Sequence, residues 1–69
     1  MNRVTERQGE VIAIIREWRE AHGRSPSQEE IARRLGVSRQ AISYRIRWLV
    51  KKGLLRQRYG ERYNVEEVQ

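Results

Sequence analysis

Gly36-Val37-Ser38 sets a helix stop and a helix start one residue apart. Glycine supplies the left-handed residue on which helices end. Serine is a strong N-cap, because its hydroxyl accepts from an orphan backbone N–H. With only Val37 between them, the flanking helices meet in a tight turn, the helix-turn-helix geometry. The same punctuation divides the rest of the chain. Thr5 with Gln8, and Ser27 with Glu30, are capping-box pairs. Gly23 and Gly53 are further stops, and Pro26 holds Ser25 out of the α region, so Arg24-Ser25-Pro26 is extended. The predicted helices cover 6–22, 28–35 and 39–52.

Apolar residues recur at helical spacing inside these limits. The predicted inner stripes are Val11, Ile12, Ile15, Trp18 and Ala21, then Ile31, Ala32 and Leu35, then Ile42, Ile46 and Leu49 with Val50 beside them. Trp18 at this spacing reads as core, and Glu10, Arg16, Glu17 and Glu20 as solvated. His22 closes the first helix, where a partial positive charge suits the carbonyl dipole. After Gly53 the period changes. Leu54–Arg58 and Arg62–Val65 read as short strands, with Tyr59-Gly60-Glu61 as the hairpin loop and 66–69 as a frayed tail. The expected fold is α+β and mostly helical: a winged helix-turn-helix, a three-helix bundle plus a C-terminal β-hairpin wing over 54–65. Residues 1–69 are read as one such domain.

Composition narrows the function. The chain has no Cys, no Asp and a single His. Disulfides and thiolate metal sites are therefore excluded, and one imidazole does not make a metal cluster. Ser25, Ser27, Ser38 and Ser43 have no Lys or His at a catalytic spacing, and there is no glycine-rich phosphate loop. The expectation is a non-enzyme with no metal, no cofactor and no small-molecule ligand. The longest apolar run, Val11–Ile15, is five residues, against the roughly 18–20 needed to span a bilayer. The first ten residues are too polar for a signal peptide. No membrane partner is expected, and a cytoplasmic, nucleoid-associated location is.

Charge is one-sided. Residues 1–35 hold seven basic and six acidic groups, whereas 36–65 hold eight basic groups and only Glu61. Such a local field suits a polyanion, because Lys and Arg displace condensed counterions from phosphates. Arg outnumbers Lys thirteen to two, which suits bidentate phosphate and guanine contacts. On a helical wheel with Ile42 at zero, Ile46 and Leu49 lie within about 40°. Gln40, Tyr44, Arg47 and Lys51 fall within about 40° of the opposite side, and Ser43 sits on the flank. That is the division of a recognition helix. Base-reading candidates are Ser38, Arg39, Gln40, Ser43, Tyr44 and Arg47. Phosphate-binding candidates are Ser27, Gln28 and Lys51 with Arg56, Arg58, Tyr59 and Arg62 of the wing. The dull competitors are a solvated Gln40, Tyr44 and Trp48 at i, i+4 packing on each other or on the wing, an Arg45 stem covering apolar surface, and Arg33 and Arg34 that only solubilise helix 2. The partner expected is double-stranded DNA, read in a sequence-specific manner. The alternative is a winged-helix protein-interaction or non-specific nucleic-acid-binding module. Phosphate attraction is shared by structured RNA, so charge leaves that partner open.

Thr5-Glu6-Arg7-Gln8, Val11-Ile12, Ile15-Arg16, His22-Gly23, Ser25-Pro26-Ser27, Glu30–Val37 and Leu49–Leu55 together resemble the N-terminal DNA-binding domain of LexA-type repressors. The resemblance runs from Val4 to Val65 and is most specific over 26–36 and 49–55. It implies a winged helix-turn-helix that binds duplex DNA, often as a homodimer on a two-fold site, and represses transcription as a prokaryotic or phage regulator. In that family the start of the third helix reads bases, and those positions match Ser38, Gln40, Ser43 and Tyr44. The turn before helix 3 is one residue shorter here, and Ser43 and Tyr44 replace the paired acidic residues of the family pattern. The self-cleaving Ser/Lys protease domain has no counterpart in these residues. The damage-response operator and the autoproteolytic switch are therefore not carried over. The chain is read as either a small stand-alone regulator or the head of something longer.

Overall fold

Side-chain hydroxyls start each helix of the computed structural model, which describes residues 4–58 and 65–68. Helices α1 (Glu6–His22), α2 (Gln28–Leu35) and α3 (Arg39–Lys51) precede strands β1 (Leu55–Gln57) and β2 (Val65–Glu67). Thr5 Oγ1 accepts from the Gln8 N–H at 3.1 Å, and the Thr5 N–H donates back to Gln8 Oε1 at 3.2 Å. Ser27 and Glu30 make the same reciprocal pair at 3.1 and 2.8 Å. Ser38 Oγ accepts from the Ala41 N–H at 3.1 Å. Each pair satisfies donors that a helix start leaves orphaned.

The stops of α2 and α3 share one device. Gly36 (φ +68°) donates to Arg33 O while Val37 donates to Ala32 O at 3.1 Å. Gly53 (φ +80°) donates to Val50 O while Leu54 donates to Leu49 O, both at 3.0 Å. These are Schellman turns, in which a left-handed residue lets the chain fold back onto the last carbonyls. The next residue in each case, Val37 or Leu54, then packs on the core. Lys52 is the right-handed cap of α3, so the helix ends at Lys51 and is one residue shorter than the 39–52 expected.

Val11, Ile14, Ile15, Ile31, Ala32, Ile42, Ile46, Leu49, Leu55 and Val65 form the buried core. The α1 stripe differs from the expected one. Ile14 is buried, Ile12 and Trp18 are half-buried, and Ala21 is exposed. Val11, Ile14, Ile15 and Trp18 follow the i, i+3, i+4, i+7 pattern of a single face. Ile12 and Ala21 lie off that face. The Trp18 ring also sits 4.9 Å from that of His22 at the helix end.

The strands pair antiparallel, Leu55 with Glu67, Arg56 with Glu66 and Gln57 with Val65, and the Val68 N–H donates to Leu54 O at 3.0 Å. The second strand includes Val65–Glu67, and residues 66–68 are paired where a frayed tail was expected. Residues 59–64, which carry the expected hairpin loop and the start of the second strand, lie outside the described residues. Leu55 and Val65 bring the wing root into the core. Side-chain alternation sends Glu66 to the other face from Glu67. Glu67 grips Arg16 of α1 through three contacts of 2.8 to 3.1 Å, so Arg16 is an anchor and not merely solvated. Gln8 Oε1 accepts from Lys52 Nζ at 2.7 Å, tying the start of α1 to the end of α3. Among the described residues, no helix is long and apolar enough to cross a membrane.

Glu30 holds the α2 entrance together. The Ser27 N–H donates to its carboxylate, and Arg24 lies 3.3 Å away. The Ser27 hydrogen bond, helped by Arg24, pulls the Glu30 pKa from 4.5 down to about 2. A carboxylate depressed in the folded state stabilises the fold above its unfolded pKa, and loses that stabilisation as pH falls through the folded one. Glu30→Ala is therefore expected to cost about 1–2 kcal/mol at neutral pH. In urea unfolding, its deficit against wild type should shrink between pH 4.5 and about 2. A deficit that persists unchanged at pH 2 would mean that the charge contributes nothing.

Candidate nucleic-acid interface

The rotation of α3 follows from its inner stripe. With Ile42, Ile46 and Leu49 buried, Gln40, Ser43, Tyr44, Arg47 and Lys51 turn outward, and all five are exposed. Ser38 and Arg39 are exposed at the N-terminal end. The Ser38 oxygen already caps the helix, which leaves its O–H to donate to a partner. Among the described residues, the side chains of Arg39, Gln40, Ser43 and Arg47 have no hydrogen-bond or ion-pair partner. An amide, a hydroxyl and two guanidinium groups are thus presented on one helix with their donors uncommitted.

Tyr44 and Trp48 do pack together, edge to face, with ring centroids 6.4 Å apart. Lys51 Nζ lies 5.3 Å from the centre of the Trp48 ring. An exposed cation–π contact is worth about 0.5–1 kcal/mol, too little to keep Lys51 from a phosphate. Tyr44 stays 60% exposed despite the pairing, so its phenol remains on the outward face.

Several basic groups elsewhere are neutralised at home. Arg33 meets Glu29 and Arg34 meets Glu17, at 3.5 and 3.2 Å, which favours the solubilising reading of these two. On the wing, Arg58 lies 3.0 Å and Arg56 4.0 Å from Glu66, and Arg19 of α1 approaches the same carboxylate at 3.8 Å. Arg56 and Arg58 are exposed but not idle. Exposed ion pairs are worth about 0–1 kcal/mol, so a phosphate can displace this carboxylate. Tyr59 and Arg62 lie outside the described residues. Ser27 is only 8% exposed, and both its hydroxyl and its N–H are committed to Glu30. Gln28 is half-buried beside it, followed directly by Glu29 and Glu30. The structure therefore gathers the α3 candidates on one open face, whereas Ser27 of the α2 pair is buried and already committed to Glu30. The alternation of strand residues could have exposed the role of Glu66, had the tail been read as a strand.

The LexA DNA binding domain family model matches residues 1–62. A LexA repressor of Thiobacillus denitrificans (strain ATCC 25259 / T1) is 39% identical over 56 residues, which is 80% of this chain. The match spans 28% of that relative's length.

Because Glu66 occupies the wing arginines, Glu66→Gln is expected to tighten binding to random duplex about two- to fivefold at low salt. It should also steepen the salt dependence by up to about one counterion. Titration by fluorescence anisotropy at several salt concentrations checks this. Weaker binding by the variant would show that Glu66 orients the arginines and does not compete for them.

Proposed function

We propose that this chain, which belongs to the LexA DNA binding domain family, binds double-stranded DNA sequence-specifically and regulates transcription as a prokaryotic or phage repressor. The observation that carries the reading is the outward face of α3, where Gln40, Ser43 and Arg47 are exposed and uncommitted. A helix with one face in the core and such a face outside fits the major groove. Gln40 is suited to adenine N6 and N7, and Arg47 to guanine O6 and N7. Ser38, Arg39 and Ser43 offer short or basic contacts at the end that enters the groove first, and Tyr44 suits a thymine methyl or a phosphate. Lys51, Arg56 and Arg58 are assigned to the backbone, where they add affinity without sequence information. In this reading the chain binds and does not catalyse, and it works in the cytoplasm at the nucleoid. Two copies on a two-fold site are the arrangement that helix-turn-helix geometry favours.

Selection from a random duplex pool is expected to return a defined site, with half-site symmetry if two copies bind. On that site, Gln40→Ala and Arg47→Ala should each cost about 1–3 kcal/mol, and much less on random DNA. Equal losses on both duplexes would remove base reading by that residue. Failure of the wild-type protein to bind any duplex in dilute buffer would overturn the function.

A further inference from the structure

Trp48 lies on the flank of α3 and outside the buried core. It is 40% exposed and lies about 120° around α3 from Ile42. With Ala41, Tyr44 and Arg45 of α3 and with Arg7 and Gln8 of α1, it lines a groove between the first turn of α1 and α3. Arg7 and Arg45 have no hydrogen-bond or ion-pair partner among the described residues. By contrast, Arg16, Arg19, Arg24, Arg33, Arg34, Arg56 and Arg58 each meet a glutamate within 4.0 Å. The groove thus combines an aromatic wall with two uncompensated guanidinium groups. It suits an anion that carries an apolar body. It also continues directly from the reading face through Tyr44, and a helix seated in the major groove has a phosphate strand along each flank.

We infer that this groove seats the sugar–phosphate backbone of the DNA strand flanking the bases read by α3. Arg45 and Arg7 are its anion ligands, and Trp48 is the wall against the deoxyribose. The inference rests on the DNA-binding function proposed above and adds to it contacts that are blind to sequence. Arg45 is half-buried and lines the groove, which suits a side chain whose stem covers apolar surface while its head stays available to an anion.

The test compares wild type with the double variant Arg7→Ala/Arg45→Ala, with Trp48→Ala and with Trp48→Phe. Binding is titrated against salt on the selected duplex and on random duplex, and a thermal melt checks folding. The double variant should lose affinity equally on both duplexes, and its salt slope should fall by nearly two, at about 0.9 per phosphate. Trp48→Ala should weaken both duplexes roughly three- to tenfold through lost apolar contact, with the slope unchanged. Trp48→Phe should restore most of that loss. Wild-type binding with unaltered affinity and slope in the double variant would overturn the groove and leave the function standing. A loss confined to the selected duplex would make these residues base readers and also overturn it. Loss of self-association in Trp48→Ala, seen by sedimentation with DNA affinity unchanged, would hand the groove to a second copy of the chain. No binding of either duplex by the wild-type protein would overturn both readings.

Discussion

Burial of Ile42, Ile46 and Leu49 sets the rotation of α3, and most of what this chain can do depends on that angle. Each such side chain is worth about 1.5–3 kcal/mol when fully buried. Turning the helix by one residue, about 100°, would expose all three and draw polar groups into an apolar core. The outward set is therefore the complement of the inward one. Gln40, Ser43 and Arg47 face water because the aliphatic stripe leaves them nowhere else to go. The two Schellman turns frame this arrangement. Gly36 and Gly53 reverse the chain at either end of α3, and Val37 and Leu54 each drop onto the core just after the turn.

Charge is sorted by the same tertiary logic. Glutamates sit on α1, α2 and β2, and among the described residues Arg16, Arg19, Arg33 and Arg34, with Arg56 and Arg58 of the wing, find them. No carboxylate lies on α3, and among the described residues its arginines have no ion-pair partner. A net charge of +6 therefore understates the field along that helix. The two glutamates of β2 have opposite assignments. Glu67 anchors the wing root to α1 through Arg16, whereas Glu66, on the other face, holds Arg56 and Arg58 and also approaches Arg19 of α1.

The helices, their starts and their stops were legible because each signal is local. A serine or threonine cap and its glutamine or glutamate partner stand three residues apart, and a left-handed glycine acts on the carbonyls of the turn before it. The face of α3 was legible because helical periodicity converts a list of residues into angles. The α1 stripe was read less well. Val11, Ile12, Ile14 and Ile15 are all apolar, so four neighbours compete for one face, and packing against α2, α3 and β2 picked Ile14 over Ile12.

By itself, the order of residues determined three capped helices, a tight turn between the second and third with one residue between their caps, and a two-faced third helix, since each follows from interactions within a turn or two of chain. Only the tertiary structure decided where the second strand pairs, which arginines are already neutralised, and that Trp48 lines a groove between α1 and α3. Those outcomes depend on pairs such as Arg16 with Glu67 and Lys52 with Gln8, 51 and 44 residues apart. Nothing in the local pattern couples such residues; folding brings them within reach, and only then do charge and hydrogen bonding choose between them.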